Sequence, residues 1–187
     1  MKSHRPTPQR PALTLTLTIA AVGFVTASMA KAADTAAEPT RAPQNHCGPE
    51  AHAHGVDARG DAAMGFSHEK TTHRFRLTRE GGAIEVTAKQ ASDTASLGAI
   101  RAHLRHIRRA FAIGDFSLPG EIHDQVPPGV EEMKARKSAL RYTFAELPAG
   151  AEVRVTTADP MARDAVHRFL RFQIEDHRTG DPVTVEP

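Results

Sequence analysis

The sequence predicts an α+β domain of two strand–strand–helix units, whose four strands form an antiparallel sheet with two helices on one face. The first observation is a duplication: segment 99–116 (AIRAHLRHIRRAFAIGDF) is echoed 66 positions later by segment 165–182 (AVHRFLRFQIEDHRTGDP). The second is that each copy follows two runs of alternating apolar and polar side chains. Because amphipathic strands and helices bury their apolar faces together, one sheet covered on one face is the economical arrangement.

The strands and helices follow from residue spacing. In the first hairpin the inward residues alternate with polar ones, and the turn contains Gly81-Gly82. In the second hairpin the turn is 148–150. The inward positions of the two hairpins are His73, Phe75, Leu77, Ile84, Val86 and Ala88, then Leu140, Tyr142, Phe144, Val153, Val155 and Thr157.

Both helices have recognisable ends. Residues 94–113 carry an apolar stripe at helical spacing, with Asp93 or Thr94 as the N-cap and Gly114 as the stop. Residues 160–178 form the second helix, with Asp159 as the cap and Gly180 beyond the end. Between the two units we expect a loop over 117–128 and a short helix within 129–138.

The N-terminus is typical of an export signal. Lys2, Arg5 and Arg10 precede the apolar run 13–25, and Ala30-Lys31-Ala32 resembles a cleavage site, so residues 1–32 are predicted to be a signal peptide. The 13-residue run is shorter than the ~20 residues that span a bilayer, so no membrane attachment is expected after cleavage. The protein is therefore expected to be periplasmic or secreted.

Cleavage also changes the charge of the chain. Four of the 24 Lys and Arg residues leave with the signal, so 20 basic and 22 acidic residues remain, and no nucleic-acid partner is expected. Residues 33–63 contain no Ile, Leu, Phe or Tyr and are predicted to be a flexible tail that folding does not require. Residues 64–187 then form a single duplicated domain. With one cysteine in the whole sequence, no internal disulfide is expected to stabilise it.

Histidine is the residue type that carries the predicted chemistry. Strand and helix faces direct several histidines toward one layer, and imidazole is a good ligand for copper and zinc. The candidate metal ligands of the domain are His73, His103, His106 and His177. The candidate ligands of the tail are His46, Cys47, His52 and His54. His68, His123 and His167 are weaker candidates, because they lie in a loop, a Pro-rich loop and a helix flank.

Two other functions remain open alongside an exported copper- or zinc-binding protein. One is a non-catalytic interaction domain with structural histidines, and the other is a small hydrolase that uses a metal or a histidine. The sequence contains no phosphate-binding Gly-rich loop, His-Glu-x-x-His, Cys-x-x-Cys or Gly-x-Ser-x-Gly motif that would specify a reaction.

Several stretches resemble a family of small secreted bacterial proteins. They are Gly65-Phe66-Ser67 with 70–75 (KTTHRF), 103–107 (HLRHI), 114–116 (GDF), and 169–174 (FLRFQI) with 177–181 (HRTGD). The similarity covers about residues 64–181. It implies a secreted protein with one domain of this extent, and it implies no particular chemistry.

Overall fold

The computed structural model describes residues 48–186 of the chain. Within that range the sheet consists of β1 (Thr71–Thr78), β2 (Gly81–Ala88), β3 (Arg141–Leu147) and β4 (Gly150–Thr156). The helices are α1 (Pro49–Met64), α2 (Thr94–Ile113), α3 (Ser117–His123), α4 (Val130–Ala135) and α5 (Pro160–Asp176). The α+β class predicted from the sequence is confirmed. None of the described helices is both long and apolar enough to cross a membrane.

The order of the strands reflects the duplication. They lie in the order β1-β2-β4-β3 and all neighbours are antiparallel, so each hairpin forms one half of the sheet. The two halves join along β2 and β4, where Ile84 pairs with Val153. Phe75 pairs with Ile84 and Phe144 with Val153, which places these four side chains in one row on the same face.

Both long helices cover this one face, as predicted. Helix α2 packs mainly on β3 and β4, whereas α5 packs mainly on β1 and β2, so each helix covers the hairpin of the other unit. Gly82 shows how closely α5 approaches, because a Cβ atom there would lie 2.2 Å from Leu170 Cδ1. The two helices meet where the rings of Phe111 and Phe169 lie edge to face, 5.9 Å apart.

The ends of α2 are those that its caps predict. The Asp93 carboxylate accepts a hydrogen bond from the backbone N–H of Ser96, and Gly114 has a φ of 85°, a left-handed conformation that glycine adopts without steric cost. Asp159 caps α5 by accepting from the backbone N–H of Met161 and Ala162. Helix α5 ends at Asp176, two residues before the predicted end and four before Gly180.

Two segments differ from the sequence expectation. The tail predicted to be flexible is helical from Pro49 onward, and α1 packs against α3 with Ala53 and Val56 buried. Polar contacts also hold α1, since Arg59 Nε donates to the Ile122 carbonyl at 2.7 Å. The predicted loop 117–128 begins with α3, which buries Ile122. The buried side chains of α1 and its polar contacts together hold the helix against the domain.

A substitution in α1 tests whether this helix contributes to folding. Val56 is 1% exposed, so Val56→Ala should lower the free energy of unfolding by about 2 kcal/mol, measured by urea denaturation. The matched control is Val126→Ala, because Val126 is 61% exposed and should change stability by less than about 0.5 kcal/mol. If both variants were as stable as the unmodified protein, the expectation that folding does not require residues 33–63 would stand.

Candidate functional site

A cavity lies between the apolar face of the sheet and the helices that cover it. Strands β1 and β2 form its floor, α2 and α5 form its walls, and α3 with Met64 at the end of α1 lines the remaining side. Its free volume is about 60 Å³. Most of its lining is apolar, and its polar side chains are those of His73, His103, His123, Gln173 and His177.

Three of the four lining histidines make no hydrogen bond through their rings. These are His73 on β1, His103 on α2 and His177 just after α5; within residues 48–186 none of their ring nitrogens has a hydrogen-bond partner, and all three rings are half-buried. They contact aromatic rings instead. The rings of His73 and His177 are parallel to within 2°, with centres 5.8 Å apart, and Phe66 packs against both His73 and His103. We call His73, His103 and His177 the imidazole cluster.

The imidazole cluster is neutral at neutral pH. Burial lowers the pKa of His73 to about 4, an effect that Asp61 opposes and His68 reinforces. Burial also lowers the pKa of His103 to about 4 and that of His177 to about 3, and the nearby His73 reinforces both shifts. A neutral imidazole keeps one nitrogen lone pair free to accept a hydrogen bond or bind a metal.

The fourth histidine is held in a hydrogen-bonded chain. His123 is 1% exposed, and its Nδ1 donates to Asp176 Oδ2 at 2.5 Å. Asp176 also accepts from His52 Nε2 at 2.9 Å, so its carboxylate joins α1 to α3. Partial burial opposes ionisation of Asp176, but the hydrogen bonds from His123 and His52 lower its pKa.

Gln173 occupies the other ring nitrogen of His123. Gln173 Oε1 lies 3.0 Å from His123 Nε2, while the buried Gln173 Nε2 has no partner in the described part of the chain. Exchanging the amide oxygen and nitrogen would leave the oxygen without a partner in place of the nitrogen, so in either orientation Gln173 satisfies the ring with only one of its two polar atoms. Both His123 nitrogens are then engaged, which makes this residue a support of the cavity wall.

The remaining candidate ligands lie elsewhere. His106 is exposed on α2 and does not line the cavity, and His54 is exposed on α1. His52 is engaged with Asp176 as described. The predicted signal peptide, His46 and Cys47 lie outside the described residues. Of the weaker candidates, His68 bonds to Asp61 at 3.0 Å and His167 bonds to the Thr78 carbonyl at 2.9 Å.

The geometry limits what the site can coordinate without rearrangement. Among residues 48–186, no group of three or more His, Cys, Asp or Glu side chains is arranged to hold a metal ion. Strand and helix periodicity correctly directed His73, His103 and His177 toward one layer. It did not identify Asp176 and Gln173 as the partners of His123. The one available signal was the Gln173–His177 spacing, which places both side chains on one helical face.

The chain matches no protein-family model, no curated protein and no solved structure. The resemblance to a family of small secreted proteins therefore stays a prediction.

The lowered histidine pKa values predict that acid weakens the metal-free fold. A histidine in the unfolded chain has a pKa of about 6.5. Below that pH the unfolded chain therefore binds more protons than the folded protein, in which the imidazole cluster stays neutral. The free energy of unfolding should therefore fall as the pH drops from about 6.5 to about 4. For His177, the facing charges are those of His123, His73, Asp176 and Arg178.

This pH dependence is measured by urea denaturation of metal-free protein at pH 7.5 and pH 5.0. His177→Gln should reduce the acid-induced loss of stability, because it removes one of the groups that titrate differently in the two states. His106→Gln, which alters an exposed ring outside the cavity, should keep the full loss. The same loss in all three proteins would contradict a neutral imidazole cluster.

Proposed function

We propose that the protein is an exported metal-binding protein that takes up copper(I) at the imidazole cluster. One observation carries the proposal: His73, His103 and His177 line a single apolar cavity and have no hydrogen-bond partner within residues 48–186. The three rings are half-buried and have no protein partner in this range, so their nitrogens are free to accept a ligand that enters the cavity. That the protein is exported is inferred from its N-terminal sequence, residues 1–32.

The volume of the cavity limits the ligand. A space of about 60 Å³ is several times the ~10–15 Å³ that one water molecule needs by the same kind of measure. It is well below the ~150 Å³ of a cavity that holds benzene. An organic ligand of about four atoms would bind with at most about −6 kcal/mol, a Kd of tens of micromolar. A metal ion gains more from the same space, because each imidazole forms a coordinate bond.

The donor set favours copper(I) over zinc. Structural zinc takes four ligands and catalytic zinc takes three from the protein, whereas no group of three His, Cys, Asp or Glu side chains is arranged for a metal in the described part of the chain. Copper(I) is soft and accepts two or three ligands, and Met64 adds a thioether to the cavity lining.

The spacing of two rings is compatible with a shared ion. Two imidazoles that bind one ion at roughly 2.0–2.1 Å have ring centres roughly 5–6 Å apart. The centres of His73 and His177 are 5.8 Å apart, but their planes are parallel to within 2°. Because the nitrogen lone pairs lie in the ring planes, at least one ring must rotate about its Cβ–Cγ bond before both bind the same ion. We therefore assign these two histidines as the main ligands, with Met64 as a third.

A second candidate function is the binding of a very small uncharged molecule that hydrogen-bonds to the imidazole cluster. The mostly apolar lining and the absence of a preformed three-ligand group in residues 48–186 favour it. If the site serves this function, the protein should bind copper(I) only weakly.

Competition with a chromophoric copper(I) chelator tests the metal proposal. The protein used is the chain from residue 33 onward with His46→Ala, Cys47→Ser and His54→Ala. These substitutions remove the exposed His54 and the two candidate tail ligands that lie outside the described residues. One copper(I) should bind per chain. His73→Ala and His177→Ala should each weaken binding by at least about 100-fold while the far-ultraviolet circular dichroism spectrum stays unchanged, because each removes a ligand.

The matched control is His106→Ala, which removes a histidine from the same helix as His103 but outside the cavity. It should bind copper(I) as the unmodified domain does. If the tail substitutions alone abolish binding, or if all three histidine variants weaken it equally, the cavity is not the metal site.

A further inference from the structure

A second concave surface lies between α2 and β3, which is an edge strand of the sheet. It encloses about 390 Å³ and is open to solvent. Four of its lining side chains are arginines, three from α2 and one from the start of β3. We call this surface, defined by Arg105, Arg108, Arg109 and Arg141, the arginine groove.

Most of this positive charge is not neutralised by the protein. In the described part of the chain, Arg108, Arg109 and Arg141 form no ion pair, and only Arg105 has a carboxylate partner, Glu146. The arginines on the open face of the sheet differ in this respect, since Arg76 and Arg154 both pair with Glu152. Like charges gathered without counter-charges repel, so the groove attracts anions.

Two of the guanidinium groups are held in place by the groove itself. Arg108 Nε donates to the Tyr142 carbonyl at 3.3 Å, and the Arg105 guanidinium lies 4.8 Å from the centre of the Phe144 ring. A side chain that is already positioned loses less conformational entropy when a ligand binds. Each guanidinium presents a planar fork that matches the oxygens of carboxylate or phosphate.

The two edge strands of the sheet are contacted by different kinds of group. Along β1, Asp181 Oδ2 accepts from the Phe75 backbone N–H, and the Glu186 N–H donates to the Leu77 carbonyl. Along β3, the contacts come from arginine side chains of α2, including Arg101 to the Leu147 carbonyl. The arginine groove is therefore open to a ligand from solution.

We infer that the arginine groove binds a small anion that carries two or more phosphate or carboxylate groups. The mature chain is expected to be slightly acidic overall, so this positive surface is local and does not reflect a generally basic protein. The volume accommodates several anionic groups at once, and four arginines can meet them from two elements. The inference concerns a surface separate from the imidazole cluster and does not depend on the proposed metal.

Isothermal titration calorimetry at low ionic strength tests this inference, with inorganic pyrophosphate and citrate as the two probes. At least one should bind at one site per chain, and the tighter of the two identifies phosphate or carboxylate as the favoured group. The double variant Arg109→Gln/Arg141→Gln should weaken binding at least about tenfold, because hydrogen bonds to charged groups are among the stronger ones. Glu146→Gln should strengthen binding, since it releases Arg101 and Arg105 from their acidic partner.

The control is Arg79→Gln, which removes an exposed arginine from the β1–β2 turn, outside the groove. It should bind both probes as the unmodified protein does. Failure of both probes to bind would overturn the inference. It would also be overturned if the control weakened binding as much as the double variant, because the attraction would then be general.

Discussion

The single apolar face of the four-stranded sheet has to be covered, and the way in which it is covered determines the rest of the structure. Each long helix covers the hairpin of the other unit, so neither unit buries its strands without its partner. The helices meet at Phe111 and Phe169, and α3 and the end of α1 line the remaining space between them. Helix α3 and the end of α1 do not fill this space, and the cavity with its histidine lining is what remains.

The elements with strong periodicity and caps were predictable, and the weakly amphipathic ones were not. Helix α2 has an apolar side chain at every turn, with Asp93 and Gly114 marking its ends, so the sequence defines it locally. The buried hydrophobic side chains of helix α1 are those of Ala53 and Val56, and its composition is that of a disordered segment. Its stability comes from contacts such as that of Arg59 with Ile122, 63 positions away, which no local pattern encodes.

In the candidate site, too, the features set by local periodicity were predictable and those set by contacts distant in sequence were not. Strand alternation and helical spacing directed His73, His103 and His177 toward the covered face, because those positions depend only on local periodicity. Whether a histidine is free or engaged depends on partners distant in sequence. His123 looked like a loop residue, yet Asp176 and Gln173, which are 53 and 50 positions away, hold both of its nitrogens. The distinction between structural histidines and candidate ligands therefore needed the fold.

The proposed binding of copper(I) by the imidazole cluster is tested most directly by X-ray absorption spectroscopy at the copper edge. The sample is the copper(I)-loaded protein without the tail ligands His46, Cys47 and His54. We expect a copper(I) edge, two or three ligands with nitrogen scatterers at about 2 Å, and the multiple scattering that imidazole rings produce. A spectrum with only water-like oxygen scatterers, or one that is unchanged when His73 and His177 are both replaced by alanine, would contradict it.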